Sequence, residues 1–364
     1  MIRIGALITS KEMLKSYNDF NTSASSLLLH MAPSYGVELC LFTPADVNFD
    51  RNTIHGLFIE YGKPVRRDVP IPFIVDNKTN ASRTDERMVK LFKTLSERTC
   101  FTRNTVYFAK FGQYKRITTF LKNTGFDEMA IPTLMIAKEI DFVQLFDKLG
   151  NDIILKPENS SRGRGVFCIK RQGQSFSVIE DDDRAKIMSS SQLKSYVEEL
   201  TSSVEYIAQK RVHSYTSSKL PFDIRILIQR RNKDSHAYVM YPRIGGGKIL
   251  SNLATGGRTM PIDTFLEENF GKTASDVKAA LDNIAVTFPK YYQIFLKHPF
   301  FDLGLDIGID KVNNSFKLWL FEVNYGPQFA FTNNLANLHM EIARATLECY
   351  KYLYSELDKP PVKR

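Results

Sequence analysis

The chain has 364 residues, of which 43% are hydrophobic and 24% are charged, and its formal net charge is +9. This composition is typical of a globular protein with room for two or three lobes, and no apolar run approaches the length that spans a bilayer. The first ten residues are too short for a secretory signal and predict a strand instead. Four scattered cysteines (Cys40, Cys100, Cys168 and Cys349) predict reduced thiols in the cytoplasm.

The positive charge admits several explanations. Basic residues cluster at 162–171, at Lys210 and Arg211, and at 230–233. Such clusters bind nucleic acid, an anionic surface, an acidic substrate or a nucleotide, or they form a solvated basic surface. The chain has no zinc-finger spacing, no aromatic RNA-binding strand motif and no lysine-rich tail. A nucleic acid is therefore the least expected of these partners.

Residues 1–100 carry the pattern of a small α/β lobe. Apolar runs predict strands, and longer segments of helical periodicity predict helices, at residues 2–8, 21–32, 36–42, 70–76 and 83–96 in the order strand, helix, strand, strand and helix. A second segment begins near Thr105 with a helix that ends before Gly125. A strand at 132–136, a helix at 142–149 and a strand at 152–157 follow it.

A glycine-rich loop comes directly after the last of these strands. It contains Ser160, Ser161, Gly163 and Gly165, and it follows Lys156 at the strand end. Backbone N–H groups in such a loop can converge on an anion, and a lysine can reach a phosphate as a point charge. The loop differs from a P-loop because no Gly-Lys-Ser/Thr sequence opens a helix. It is either a flap over phosphates or an ordinary hairpin turn, and the polar residues at 173–191 predict a flexible insertion.

Strands dominate from residue 204 onward, at 206–212, 222–229 and 236–244, with helices at 276–288 and 336–357. Asp223 and Arg225 share one face of an otherwise apolar strand. They indicate either a partly buried ion pair or a guanidinium aimed at a phosphate. Arg243 on the next strand supplies a second positive arm. Asn252 lies in a polar loop and is either a turn residue or a ligand to metal or substrate.

The most informative stretch is a pair of predicted strands at 303–310 and 317–324, joined by a polar turn. Asp306 lies within an apolar run that would not choose a carboxylate for its core. Glu322 and Asn324 are two positions apart and so point to one face of their strand. Three oxygen ligands on adjacent strands suit Mg²⁺, which completes its shell with water and phosphate.

In this order, the features resemble those of ATP-grasp enzymes of the YheC/YheD type, a branch named for endospore-coat association. The resemblance covers most of the chain and rests on short segments at 42–46, 82–86, 221–225, 251–257 and 303–310. It implies an ATP-grasp fold of mixed α/β and α+β class. An N-terminal α/β lobe would span 1–103, and two α+β lobes would clasp the nucleotide, a central one with the flap at 104–203 and a C-terminal one with the metal site at 204–364.

The resemblance also implies roles for individual residues. Lys110 and Lys156 match two phosphate-binding lysines. Arg225 and Arg243 would face the transferred phosphoryl group, with Asn252 as a third catalytic residue. The metal ligands, for two Mg²⁺ ions, would be Asp306, Glu322 and Asn324. The other residues expected at the nucleotide are Ser160, Ser161, Gly163, Gly165, Gln209, Lys210, Val212 and Asp223, with Gln209 in the strand that reads adenine.

The implied activity is that of an ATP-dependent carboxylate–amine ligase of peptide or amino-acid type, acting through an acyl phosphate with ATP and Mg²⁺. Its partners would be a carboxylate substrate and an amine nucleophile, and the basic surface favours an acidic peptide. Two alternatives stay open. One is a non-catalytic ATP-binding spore-coat or assembly protein, and the other is a kinase that stops at a phosphorylated product.

The chain departs from the family pattern at two places. Ser160 stands where relatives commonly carry Gly, which stiffens the flap. After Asn324, relatives often continue with a small residue and then Pro-Gly, whereas this chain continues with Tyr325, Gly326 and Pro327. The loop that distinguishes this protein's substrate is therefore expected to begin at Tyr325.

Overall fold

The computed structural model describes residues 1–9, 24–79, 86–101, 110–136, 142–158, 165–180, 185–247, 251, 256–296, 300–313, 315–325 and 336–357. Within these residues the chain forms three β-sheets and eight α-helices.

The first sheet belongs to the N-terminal part of the chain. Its strands are β1 (Ile2–Leu7), β2 (Val37–Phe42), β3 (Val47–Asn48), β4 (Thr53–Glu60), β5 (Lys63–Pro70), β6 (Ile74–Asn77) and β7 (Cys100–Phe101). Strand β1 pairs in parallel with β2 and β6, and β7 extends the parallel part beside β6. Helices α1 (Ala24–Met31) and α2 (Glu86–Arg98) pack on opposite faces. Because both faces are covered, the central strands are mostly apolar, and Arg3 of β1 pairs with Glu38 of β2.

The predicted α/β pattern of this region is confirmed, with one addition and one shift. The hairpin of β4 and β5 was not predicted, because half of the residues of β5 are charged and three of them are consecutive. Its turn, Tyr61-Gly62, has φ of 51° and 74°, as a two-residue hairpin turn requires. Strand β6 begins at Ile74 rather than at residue 70, since Pro70 ends β5.

The second sheet is antiparallel and is preceded by α3 (Lys110–Lys122). Its order is β12-β11-β10-β9-β13-β8, with β8 (Thr133–Met135), β9 (Asp152–Pro157), β10 (Phe167–Gln172), β11 (Ser175–Glu180), β12 (Lys186–Ser189) and β13 (Tyr206–Lys210). Helices α4 (Phe142–Leu149) and α5 (Ser190–Thr201) cover one face and share a hydrophobic core with it.

The prediction of a flexible insertion at 173–191 is wrong. Strands β11 and β12 occupy that segment and extend the second sheet. Phe176 and Val178 point into the core while Ser175 and Ser177 alternate with them, which is the pattern of a half-buried strand. Ser189 then caps α5, accepting a hydrogen bond from the Gln192 backbone while Gln192 bonds back to the Ser189 backbone.

The third sheet has the antiparallel order β15-β14-β16-β17. Its strands are β14 (Phe222–Arg230), β15 (His236–Ile244), β16 (Asp302–Val312) and β17 (Ser315–Tyr325). One face packs against α3, α6 (Ile262–Phe270) and α7 (Ala274–Leu296) in an extensive hydrophobic cluster. The predicted strand pair near the end of the chain is confirmed, as is its turn, where Asn313 has φ of 54°.

Helix α8 (Ala336–Leu357) joins the first and third sheets. Its first turns pack Leu338 and Ile342 against β14 and β15. Farther along, Leu347 and Tyr350 belong to the core of the first sheet. The helix therefore ties these two sheets together through buried apolar contacts on both. None of the helices in the described ranges is long and apolar enough to cross a membrane.

Candidate active site

Charged side chains meet on the face of the third sheet that lies opposite its large hydrophobic core. The alternate isoleucines of β14 point into that core, so Asp223 and Arg225 point the other way. Strand pairing places Arg225 opposite Asp306 and Asp223 opposite Arg243. Asp223 and Arg225 therefore each have a charged partner on a neighbouring strand.

Two guanidinium groups and two carboxylates form one network there. Arg225 donates to both oxygens of Asp306, at 2.5 and 3.1 Å. Arg243 donates to both oxygens of Asp223, at 2.6 and 2.8 Å, and its Nη2 also lies 2.9 Å from Asp306 Oδ2. The Ser251 hydroxyl donates to Asp223. These four charged side chains are 4 to 18% exposed, so water screens their attraction weakly.

Burial and the neighbouring charges shift the pKa values of this network in opposite directions. Burial raises the pKa of Asp306, but Arg225 and Arg243 outweigh it and leave that pKa below its ordinary value. Burial also raises the pKa of Asp223, where the Asp306 carboxylate adds to the rise and Arg243 opposes it. Burial lowers the pKa of Arg243, but the two carboxylates more than offset that effect. The sheet face thus holds two fixed positive charges and an ionised Asp306 at neutral pH.

Strand β17 brings two further polar groups to the same face. Glu322 lies opposite Asp306, and Asn324 lies opposite Gly304. Asn324 Nδ2 donates to Asp306 Oδ2 at 3.2 Å. Val323 between them is fully buried in the core on the other side. The strand register therefore gathers Asp306, Glu322 and Asn324, the three predicted metal ligands.

A β-bulge in β17 shapes this part of the site. Asp306 pairs with Glu322, whereas the next pair along is Ile307 with Leu320, so Phe321 is the extra residue. The bulge changes which residues of β17 share a face on either side of it. A strict alternation counted from the sequence would misplace every side chain on one side of Phe321.

The ring of Phe321 lies against strand β16 at Gly308. A Cβ at that position would come within 2.3 Å of the ring. Glycine is therefore needed at Gly308 for the tip of the bulged aromatic ring to approach the neighbouring strand.

Trp319 lies at the joint between the second and third sheets, the place where the two sheets meet. It packs with Ile131 and Val212, where the chain enters and leaves the second sheet. The ammonium groups of Lys210 and Lys317 lie over its ring, at 5.6 and 4.2 Å from the ring centre. Lys210 and Val212, both predicted at the nucleotide, are thus placed at this joint.

The predicted ligands fit Mg²⁺ in chemistry, and strand register places them on neighbouring strands. Asp306 and Glu322 supply carboxylates and Asn324 an amide oxygen, which are ligand types that Mg²⁺ takes. Across the described parts of the chain, no group of three or more His, Cys, Asp or Glu side chains forms a metal site. A set with two carboxylates leaves coordination positions for water and phosphate. An ion would share Asp306 with Arg225 and Arg243.

A second polar group lies on the second sheet, on the face opposite α4 and α5. Leu155 and Ala208 point into the helix-covered core, so Lys156 and Gln209 point to the opposite face. Lys156 Nζ donates to Gln209 Oε1 at 2.9 Å, and Gln209 Nε2 donates to Thr133 Oγ1 at 2.8 Å. The predicted phosphate-binding lysine and the predicted adenine-reading residue are therefore in direct contact.

The remaining predicted residues are placed only in part. Gly165 has φ of +68°, and a Cβ there would lie 3.1 Å from Pro157, so glycine suits this end of the loop. Helix α3 begins at Lys110. The predicted residues that lie outside the described residues are Ser160, Ser161, Gly163 and Asn252, and the loop that follows Tyr325 lies outside them as well.

Sequence reasoning missed Ser251, which donates to Asp223, and two further residues of this site. Thr133 stood inside a predicted strand without an assigned role, and Phe321 stood inside the last predicted strand. A hydroxyl in a buried strand was the available signal for Thr133, because buried hydroxyls need a partner. For Phe321 no local signal existed, since a bulge is defined by pairing with another strand.

The fold defines a class of protein. Solved structures that resemble the chain include D-alanyl-alanine synthetase A from Vibrio cholerae O1, at 11% identity and a TM-score of 0.53, covering 98% of this chain and 99% of that one. The ATP-grasp ligase PsnB, complexed with minimal precursor, Mg and ADP, matches at 12% identity and a TM-score of 0.51, covering 96% and 98%. A RimK domain ATP-grasp protein from Sphaerobacter thermophilus matches at 12% and 0.50, covering 95% and 98%. The chain has the ATP-grasp fold.

The sequence defines the family more narrowly. Residues 100–353 match the YheC/D-like ATP-grasp family. Because this match spans more than half of the chain, the protein belongs to that family. No curated protein matches the chain. The family and the mixed α and β fold predicted from the sequence are confirmed.

Proposed function

We propose that this chain is an ATP-dependent ligase that joins a carboxylate to an amine through an acyl phosphate, with Mg²⁺ as cofactor. The observation that carries the proposal is the pair of buried guanidiniums, Arg225 and Arg243, each held by a carboxylate. Donors fixed in this way need little reorganisation when a phosphoryl group arrives, which is how such transfers are accelerated. Glu322 and Asn324 beside them supply the metal-binding oxygens.

In the proposed first step, an oxygen of the substrate carboxylate attacks the γ-phosphorus of ATP. The bond from that phosphorus to the bridging oxygen breaks, ADP leaves, and an acyl phosphate forms. Arg225 and Arg243 bind the oxygens of the transferred group, and Lys156 binds the upstream phosphates. Mg²⁺ held by Asp306, Glu322 and Asn324 would neutralise phosphate charge.

In the proposed second step, an amine attacks the acyl carbon. The bond from that carbon to the phosphate oxygen breaks, inorganic phosphate leaves, and the amine nitrogen gives up a proton to yield an amide. The chain needs no covalent intermediate of its own, because the phosphoryl group activates the carboxylate. The net charge of +9 supports an acidic peptide as one substrate. Four free cysteine thiols support a cytoplasmic location.

The direct test is ADP release from Mg-ATP with a panel of carboxylates, acidic peptides included, and a panel of amines. Glu322→Ala should lower the rate by about 100-fold or more, because a group that helps stabilise the transferred charge is lost. Glu356→Ala, at an exposed position in the last turn of α8, should leave the rate unchanged. Full turnover by Glu322→Ala would refute the metal assignment.

Two other outcomes would select a different function. Stabilisation by Mg-ATP in a thermal-shift experiment, with no ADP formed on any substrate pair, would favour a non-catalytic ATP-binding assembly protein. Hydroxylamine converts an acyl phosphate to a hydroxamate but leaves a phosphate ester intact. ADP formation with a stable phosphorylated product and no hydroxamate would therefore indicate a kinase.

A further inference from the structure

Thr133, Gln209 and Lys156 form a chain of hydrogen bonds with a single direction. Strand pairing places Thr133 directly opposite Gln209, and each residue is 7% exposed. Besides the two bonds described above, Thr133 Oγ1 donates to the backbone oxygen of Ile131 at 2.9 Å. This series of hydrogen bonds therefore runs from an ammonium group through an amide and a hydroxyl to a backbone carbonyl.

Lys156 and Thr133, on either side of the Gln209 amide, impose the same orientation on it. The ammonium of Lys156 has donors and no acceptor, so the amide must present its oxygen to it. The Thr133 hydroxyl gives its one proton to the Ile131 carbonyl, so it can only accept from the amide NH₂. A rotated amide would lose both bonds while buried, which is costly.

Apolar side chains lie beside the amide on the same face of the sheet. Ile154 is the cross-strand neighbour of Gln209, and Met135 is that of Ile207. An apolar area next to one oriented amide and one ammonium group offers the kinds of contact that a purine base makes.

We propose that Thr133 determines base specificity by positioning the Gln209 amide oxygen as an acceptor for an amino group at C6 of the bound purine. Adenine carries an amino group there and donates to this oxygen. A base with an oxygen at C6 places two acceptors against each other, and Thr133, together with Lys156, prevents the amide from rotating to relieve the clash. The inference rests on the proposed nucleotide site and adds to it the residue that selects the base.

Isothermal titration with ATP and with inosine triphosphate, each with MgCl₂, tests this. The two nucleotides differ at C6 and in the proton that this change adds to N1. The wild-type chain should bind ATP at least about tenfold more tightly, the ratio expected from one mismatched buried hydrogen bond. Thr133→Val keeps the shape and removes the hydroxyl, so Lys156 alone still orients the amide and the ratio should fall several-fold toward one. Thr133→Ser restores the hydroxyl and should restore the ratio.

The outcomes separate this inference from the proposed function. If the wild-type chain binds ATP and Thr133→Val keeps the wild-type ratio, the specificity role is wrong while the nucleotide site stands. If the wild-type chain binds neither nucleotide, both fail. Should Thr133→Val not fold, Gln209→Met removes the amide itself. An unchanged ratio in that variant overturns the inference, and a ratio near one supports it.

Discussion

Replacing Arg243 with Met should destabilise the third sheet strongly. The guanidinium lies 2.6 and 2.8 Å from the oxygens of Asp223 and 2.9 Å from Asp306. Met matches much of the side-chain stem, so the main loss is charge pairing rather than volume. Asp223 would keep the Ser251 hydroxyl but lose its cation while buried. Removing one partner of such a pair costs about 3–5 kcal/mol.

Urea unfolding followed by fluorescence measures this loss, because Trp319 is the single tryptophan of the chain and lies on β17 of the same sheet. Arg243→Met should lower the midpoint by about 1–2 M urea. The matched control is Arg344→Met, which removes an exposed guanidinium 3.8 Å from Glu341. That variant should shift stability by less than about 1 kcal/mol.

Equal midpoint shifts in the two variants would refute the argument, since they would mean that burial does not strengthen the Arg243 pairing. A second substitution sharpens the test. Adding Asp223→Leu to Arg243→Met removes the unpaired carboxylate and should recover part of the lost stability. Removing both charges costs less free energy than leaving one of them buried without its partner. A double variant that is as unstable as the sum of both single changes would contradict this reasoning.

Two further predictions concern stability away from the charged network. Tyr350→Phe removes the hydroxyl that donates to buried Asp76 across α8 and the first sheet, and it should lower the free energy of unfolding by about 1–3 kcal/mol. Exposed Tyr354→Phe on the same helix should change it by less than about 0.5 kcal/mol, and equal effects would contradict the assignment. Burial, with nearby cations, lowers the pKa of His236, which stacks on Phe300, from 6.5 to about 4. The unfolded chain therefore protonates first, so the wild type should lose stability as the pH falls from 6.5 to 4, by about 1 kcal/mol at pH 5 after solvent screening. His236→Phe should remove that loss, and an identical pH dependence in both proteins would refute it.

Patterns within a single segment were sufficient to predict helices and strands whose own residues show the periodicity of the element. The closing helix was predicted at 336–357 and is observed at Ala336–Leu357. The strand pair near the end of the chain was predicted because two apolar runs flank a polar turn. The prediction for the segment 173–191 failed because polar residues dominate its composition, while only alternate side chains such as Phe176 are buried.

The site depended on pairing between distant strands. Arg225 and Asp306 are 81 positions apart, and nothing local in either strand states that they are opposite each other. Asp223 and Arg225 are neighbours on one face, yet each bonds to a different strand. Thr133 gained a role only because it lies opposite Gln209 in the sheet.

The sequence by itself determined which chemical groups this protein carries and in what order. Lys156, the two arginines and the oxygen donors of the last strands were all evident as residue types that an apolar core does not choose. Only the tertiary structure decided their partners. Strand register and the bulge at Phe321 arise from contacts between segments far apart in the chain, and the direction of the Thr133 hydrogen-bond chain depends on that same register. Such contacts do not change the residue pattern of either segment. The sequence therefore shows which groups are present, and the fold determines which of them are neighbours.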